Sequence, residues 1–270
     1  MPNDLNAITR QLTGIVKKTG AFLRTENQSF DRAAIEYKDF NNVVSYVDKE
    51  AEKQLVDNLS QLLPEAGFIT EEGTTEQADR AGLNWIIDPL DGTANFIHKL
   101  PVFSVSVGLV DNGRPIAGSI YDVNRDECFS AWEGGGAWCS QNGGAEERIR
   151  VSPAQQLQES LIATGFPYYR FEQMQQYLHI LESLMQKTHG LRRMGSAAID
   201  LAYVACGRFD GFFEYNLKSW DMAGGVILVR EAGGVVTDFT GGDEFLFRGD
   251  VVAGCAVHAE LLAVIQEYWT

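Results

Sequence analysis

The stretch Trp85-Ile86-Ile87-Asp88-Pro89-Leu90-Asp91-Gly92-Thr93-Ala94-Asn95-Phe96 decides how the chain is read. Trp85 to Ile87 has the apolar, β-branched character of a buried strand. Two carboxylates follow, Asp88 and Asp91, with Pro89 between them to fix φ and turn the chain. Gly92 lets the backbone approach a ligand closely, and Thr93 adds a hydroxyl. Two carboxylates aimed at one point repel each other unless a cation lies between them, and a hard, oxygen-preferring divalent ion suits that place. The Gly92 and Thr93 N–H groups, opening a short helix, can hold an anion beside it. A cation and an anion cradle together point to phosphate chemistry. An Asp-Pro-x-Asp-Gly string alone is as often only a polar turn, so the rest of the chain has to support this reading.

Outward from that stretch, hydrophobic periodicity organises the chain. Leu5, Ile8, Leu12, Ile15, Val16 and Phe22 mark a helix from about residue 4 to 24, capped by Asn3 or Asp4. Val44, Val47, Ala51, Leu55, Leu59 and Leu62 mark a second, ended by Pro64. Asp48, near its start, reads without context as an ordinary solvated charge. Gly67–Thr70 reads as a strand ending on Glu71-Glu72, and strands follow at 84–88, 101–110, 114–123 and 127–132. Gly134-Gly135-Gly136 and Asn142-Gly143-Gly144 read as turns. These segments predict an antiparallel meander covered by two helices. Beyond Val151-Ser152-Pro153, strands at 161–164, 209–215, 235–239 and 251–255 alternate with helices at 171–186, 196–206, 221–232 and 258–269. The expectation is one α+β domain over residues 1–270, with lobes of about 1–151 and 152–270.

Composition excludes several classes. The net charge of −15 and pI of about 4.7 argue against nonspecific nucleic-acid or anionic-membrane binding. Cys128, Cys139, Cys206 and Cys255 have no CxxC spacing, and they read as small buried hydrophobes in a reducing compartment. No charged leader opens the sequence and no run of 18 apolar residues occurs, so a cytoplasmic protein without a membrane anchor is expected.

Asp221, after Trp220 at a helix start, reads alone as a cap, and Trp220 as core. Taken together, however, the motifs resemble those of the inositol monophosphatase family. Asp88 to Phe96, followed by His98 and Pro101, is similar to its first signature. Trp220-Asp221-Met222-Ala223-Gly224-Gly225, with Glu231-Ala232-Gly233-Gly234, is similar to its second. Glu71-Glu72 resembles its acidic pair, and Asn42 to Asp48 its N-terminal aspartate segment. The resemblance runs from about residue 5 to the end.

It implies a layered αβαβα sandwich and a magnesium-dependent phosphomonoesterase, usually a homodimer and often lithium-sensitive, with two or three Mg2+ per site. Carried over by position, Glu71, Asp88 and the Leu90 carbonyl would hold one magnesium. Asp88, Asp91 and Asp221 would hold the second, and Glu71 would share a third. Asp48 and Thr93 would orient the attacking water, and the Gly92 and Thr93 N–H groups would take the phosphate. Gly195, Ser196, Ala197 and Glu214 would face the alcohol of a small phosphate ester such as inositol monophosphate. His98 reads as structural rather than as an acid or base. The chain departs from the pattern at Thr70, where Gly is common, at Gly224-Gly225, where Ala is common, and at Lys218, often His. Lys218 is near the expected substrate and is expected to tune which ester is preferred, by pairing with Glu214 or by meeting a second anionic group. Two alternatives within the superfamily are a 3′(2′),5′-bisphosphate nucleotidase and a fructose-1,6-bisphosphatase. Asn95-Phe96-x-His98 favours the inositol branch over the first of these. A non-catalytic metal-binding regulatory protein is the alternative of another class.

Overall fold

The computed structural model describes residues 4–30, 36–39 and 42–269. Asn3, one of the two expected caps, and the opening Met1-Pro2 lie outside them. Asp4 does cap α1 (Leu5–Ser29), accepting a hydrogen bond from the Ala7 N–H at 2.9 Å. A short antiparallel pair, β1 (Glu36–Asp39) and β2 (Asn42–Val44), leads to α2 (Tyr46–Leu62).

Seven strands then form one sheet in chain order: β3 (Gly67–Thr70), β4 (Leu83–Asp91), β5 (Ser104–Asp111), β6 (Arg114–Asp122), β7 (Glu127–Trp132), β8 (Gly136–Gln141) and β9 (Glu147–Ile149). A five-residue helix, α3 (Thr93–Ile97), interrupts them after β4. The meander is antiparallel from β4 onward, but β3 runs parallel to β4, which corrects the all-antiparallel expectation. β8 and β9 extend the sheet where only turns had been read.

The second sheet has the order β11-β10-β12-β14-β13, built from β10 (Leu161–Thr164), β11 (Gly190–Arg192), β12 (Gly211–Glu214), β13 (Val235–Thr237) and β14 (Val251–Gly254). Its helices are α4 (Met174–Lys187), α5 (Ala197–Ala205), α6 (Ser219–Glu231), α7 (Phe245–Arg248) and α8 (His258–Tyr268).

Alternation along each strand separates three cores. On β4, Trp85 and Ile87 face α1 and α2, where Leu12, Val16, Leu55 and Leu59 are fully buried. Ile86 faces the other way, into a core filled by α5 and α6 and closed by Phe212 and Ala253 of the second sheet. Phe213 and Val252 point outward to α4 and α8. The order of layers is therefore helices, sheet, helices, sheet, helices, as the αβαβα expectation has it.

The middle layer needs small residues. A Cβ on Gly225 would stand 2.5 Å from the Leu201 Cβ on α5, and one on Gly224 would stand 3.0 Å from the Ser106 Oγ on β5. The Gly-Gly pair thus sets how closely α6 packs between α5 and the first sheet, and with it the position of Asp221 on the first turn of α6.

Candidate active site

The acidic residues meet where β4 ends. Pro89 does not end the strand in a turn. β4 continues to Asp91, and its register with β5 shifts between Asp88 and Asp91, which is a bulge holding Pro89 and Leu90. Proline is tolerated at such a place because it has no N–H to give to the ladder. The Leu90 N–H turns to the Asp88 Oδ1 at 3.0 Å. Gly92 then takes φ of 96°, a left-handed conformation that favours glycine, and starts α3.

Asp88, Asp91 and Asp221 offer carboxylate oxygens that all lie within 4.8 Å of one another. Burial, and then Glu71, Asp91 and Asp221, push the Asp88 carboxyl well above the usual carboxylate range. Burial and Asp91 push Asp221 up to about 7, against the opposing pull of the Lys218 N–H and charge. Burial raises Asp91 as well, although the Ser196 hydroxyl and the Ala198 N–H donate to its Oδ2. Three clustered acids, Asp88 and Asp91 buried and Asp221 half-buried, that resist ionisation together are a donor set in want of a cation. All-oxygen ligands of this kind fit magnesium. Glu71 stands beside Asp88 in hydrogen-bonding contact, half-buried, outside the tight trio.

Asp48 is not a surface charge. It is 2% exposed and closes a capping box at the start of α2, where the Ser45 N–H donates to its Oδ2 at 2.8 Å. Its Oδ1 lies 3.2 Å from the Thr93 Oγ1, which also lies 3.1 Å from the Leu90 carbonyl. One hydroxyl is thus held between a carboxylate and a backbone carbonyl at the edge of the acidic trio. Asp221 is both cap and cluster member: its Oδ2 accepts the Lys218 N–H at 2.6 Å.

Gly195 and Ser196 arrive from the other half of the chain, at the start of α5. Asn95 on α3 donates to the carbonyls of Val102 and Met194 at 2.7 and 2.9 Å, so the Gly195 turn is tied directly to the Asp91 turn. Ser196 caps α5 and donates to Asp91, and Ala197 begins the helix. Glu214 closes the far side with its carboxyl raised to about 8, by burial and by Asp221 and Asp91, against the pull of Arg193. The expected pairing of Lys218 with Glu214 is corrected: the cation acting on Glu214 is Arg193, while the Lys218 side chain is exposed and its charge acts on Asp221. His98 is exposed at the C-terminal end of α3. The cysteines are free thiols, Cys128 and Cys255 buried as expected but Cys139 and Cys206 only half-buried.

Three residues were missed from the sequence. Arg193 lies with its guanidinium carbon 5.0 Å from the ring centre of Tyr168 and 5.7 Å from that of Phe166. Asp200, buried on α5, feels Glu214 and Asp91 and is pushed well up. Glu52, fully buried on α2, accepts from the Thr70 hydroxyl at 2.9 Å, the Glu72 N–H at 2.6 Å, and the Thr74 N–H and hydroxyl at 2.7 and 2.8 Å. That network holds the turn carrying Glu71. A signal was present, since Asp48 and Glu52 are one helical turn apart beside the apolar positions Val47, Ala51 and Leu55. Thr70, a departure from the family pattern, is one of its donors. Glu52→Ala leaves four donors, one buried and three half-buried, without their acceptor and is expected to destabilise the protein by about 2–4 kcal/mol in urea unfolding. A change under about 0.5 kcal/mol would show that the turn holds itself.

Comparison with known proteins agrees with this geometry. A model of the inositol monophosphatase family matches residues 4–270. Nus factor SuhB of Escherichia coli (strain K12) is 42% identical over 238 residues, covering 88% of this chain and 87% of that protein. The crystal structure of extragenic suppressor protein suhB from Bartonella henselae superposes with a TM-score of 0.88 at 37% identity, covering 97% of this chain and 99% of that one. The Thermotoga maritima IMPase superposes with a TM-score of 0.83 at 35% identity, covering 96% of both.

Proposed function

The chain belongs to the inositol monophosphatase family, and from that premise we propose that it is a magnesium-dependent phosphomonoesterase acting on inositol monophosphate or a similar polyol phosphate. The observation that carries this reading is the trio Asp88, Asp91 and Asp221, two of them buried and Asp221 half-buried, with donor oxygens within 4.8 Å of one another.

In this reading Glu71, Asp88 and the Leu90 carbonyl would hold one ion and Asp88, Asp91 and Asp221 another, and Glu71 would also serve a third. Bound magnesium supplies a water of lowered pKa and offsets charge on the leaving oxygen. The protein's own groups do the rest. Asp48 accepts a hydrogen bond from the Thr93 hydroxyl, so the pair can orient the attacking water toward phosphorus. The Gly92 and Thr93 N–H groups receive phosphate oxygens. Asp91, tied to Ser196 and Ala198, is held rigidly against α5, and such fixed polar groups need little reorganisation during reaction. Gly195, Ser196, Ala197 and Glu214 line the alcohol side, where Glu214, raised to about 8, is a hydrogen-bond donor or acceptor for substrate hydroxyls at neutral pH. Lys218, exposed beside Asp221, remains the candidate for tuning ester preference.

Thr93→Ala tests the orienting role. The hydroxyl matters most in the transition state, so kcat should fall about 10- to 100-fold while KM moves less than about threefold. A loss confined to KM would make Thr93 a substrate contact.

Further features of the reading are a cytoplasmic setting, consistent with four free thiols, and a homodimer, consistent with the exposed Tyr168, Tyr169, Leu178 and Met185. Among the described residues no helix is long and apolar enough to cross a membrane. The name of the Escherichia coli relative keeps a regulatory role in view as a second reading, and the complete acid set of this chain favours catalysis.

A further inference from the structure

Beside the acidic trio lies a cavity of about 340 Å3 whose lining includes Arg80, Lys218 and Arg248 and no carboxylate. The chain has 22 Lys and Arg against 37 Asp and Glu, so three cations with no acid in the lining of one cavity are not the average of its surface. Arg248 is paired from behind and Lys218 also acts on Asp221, so Arg80 is the lining cation left for an anion to pair with. We propose that this cavity is a phosphate-binding site separate from the acidic trio.

The walls are built rather than loose. Arg80 is stacked on Phe247, its guanidinium carbon 4.4 Å from the ring centre. Arg248 is held from behind, its Nε 2.9 Å from the Asp250 Oδ1 and its Nη1 3.8 Å from the Asp238 Oδ2. Both of those acids are buried and neither lines the cavity. The turn bearing Lys218 is tied to the end of α7 by the Leu217 N–H, which donates to the Gly249 carbonyl at 2.8 Å. A Cβ on Gly249 would stand 2.5 Å from the Leu217 carbonyl oxygen, so the two walls meet at a position that only glycine fits. Among the described residues neither Arg80 nor Lys218 is in an ion pair. The Lys218 charge already acts on Asp221, so the available charge is that of Arg80, pre-positioned to form a fork of hydrogen bonds to phosphate oxygens.

The cavity adjoins the proposed catalytic centre. Ser219 and Trp220, in its lining, immediately precede Asp221, and Ile69 precedes Glu71 by two residues. A protein of net charge −15 repels anions at long range, so a local cationic site is the means of retaining one. The phosphate has two possible sources: the second phosphoryl group of a bisphosphate substrate, or free inorganic phosphate. The first source rests on the phosphatase reading; the site itself does not.

The test uses the full chain stripped of metal by EDTA, so that the acidic trio offers no cation to the anion. Inorganic phosphate is titrated by calorimetry into wild type, Arg80→Ala and Arg80→Lys. One phosphate per chain is expected in wild type, with affinity reduced about tenfold or more in Arg80→Ala and partly recovered in Arg80→Lys. No phosphate uptake by wild type, or equal uptake by a folded Arg80→Ala, overturns the proposal. In the second arm the magnesium-loaded proteins are assayed with inositol 1-phosphate, fructose 1,6-bisphosphate and adenosine 3′,5′-bisphosphate. A loss in Arg80→Ala of about tenfold in kcat/KM, confined to the bisphosphates, assigns the site to a substrate's second phosphate. Unchanged kcat/KM ratios with lost phosphate binding assign it to the free anion. Absence of turnover on every ester counts against the phosphatase reading and leaves the calorimetric result standing.

Discussion

Asp91→Asn is expected to lower kcat by roughly a thousandfold while the protein stays folded. The side chain is buried and its Oδ2 accepts from the Ser196 hydroxyl and the Ala198 N–H. An asparagine carbonyl in the same rotamer accepts both, so the start of α5 keeps its cap and the Ser196 link survives. What changes is the other half of the group. The amide NH2 faces Asp88 and Asp221, where the proposal needs a carboxylate shared between an ion and the phosphate. Charge is lost and shape is kept. Unfolding by urea should therefore shift little, while phosphate release at saturating magnesium nearly vanishes. Activity close to wild type would remove Asp91 from the centre of the reaction.

The second large effect is on stability. In the unfolded chain Asp88, Asp91 and Asp221 titrate near their ordinary value of 3.8; in the metal-free folded protein all three are raised, Asp221 to about 7. The folded state therefore binds more protons than the unfolded state between about pH 4 and 7. By linkage, the metal-free protein loses stability as pH rises through that window, and the loss is complete above the folded values. Magnesium favours the ionised carboxylates and reverses the loss. Its stabilising effect should be small at pH 5 and large at pH 8, where saturation raises Tm by about 5–10 °C. Comparing EDTA-treated and magnesium-loaded protein at each pH cancels groups elsewhere in the chain. A magnesium effect equal at both pH values, or larger at pH 5, contradicts a cluster of mutually repelling acids.

What the sequence revealed follows from how local each feature is. Asp88, Asp91 and Asp221 stand in short strings whose neighbours announce them, and the helices show their periodicity over many residues. Asp48 was legible only through resemblance, because a lone acid on a helix looks solvated until Ser45 and Thr93 are seen to close over it. Glu52 and Arg193 act on groups from other elements, and no local pattern records which acid a distant cation will face. Pro89 was read as a turn because a bulge is a property of two paired strands, here β4 and β5. The same holds for the parallel pairing of β3 with β4, since alternation gives a strand its faces and not its neighbour's direction. β8, β9 and β11 escaped because they are short and bounded by glycine-rich turns or edges.

The central claim is that the acids at the end of β4 support metal-dependent hydrolysis of a phosphate monoester. The most direct measurement is inorganic phosphate release by purified protein, with magnesium and with EDTA, from inositol 1-phosphate, fructose 1,6-bisphosphate, adenosine 3′,5′-bisphosphate and glycerol 2-phosphate. The account predicts release that requires magnesium, with inositol 1-phosphate or another polyol phosphate among the esters turned over. No magnesium-dependent release from any of the four, in protein whose Tm still responds to magnesium, would contradict it and leave a metal-binding protein of the non-catalytic kind.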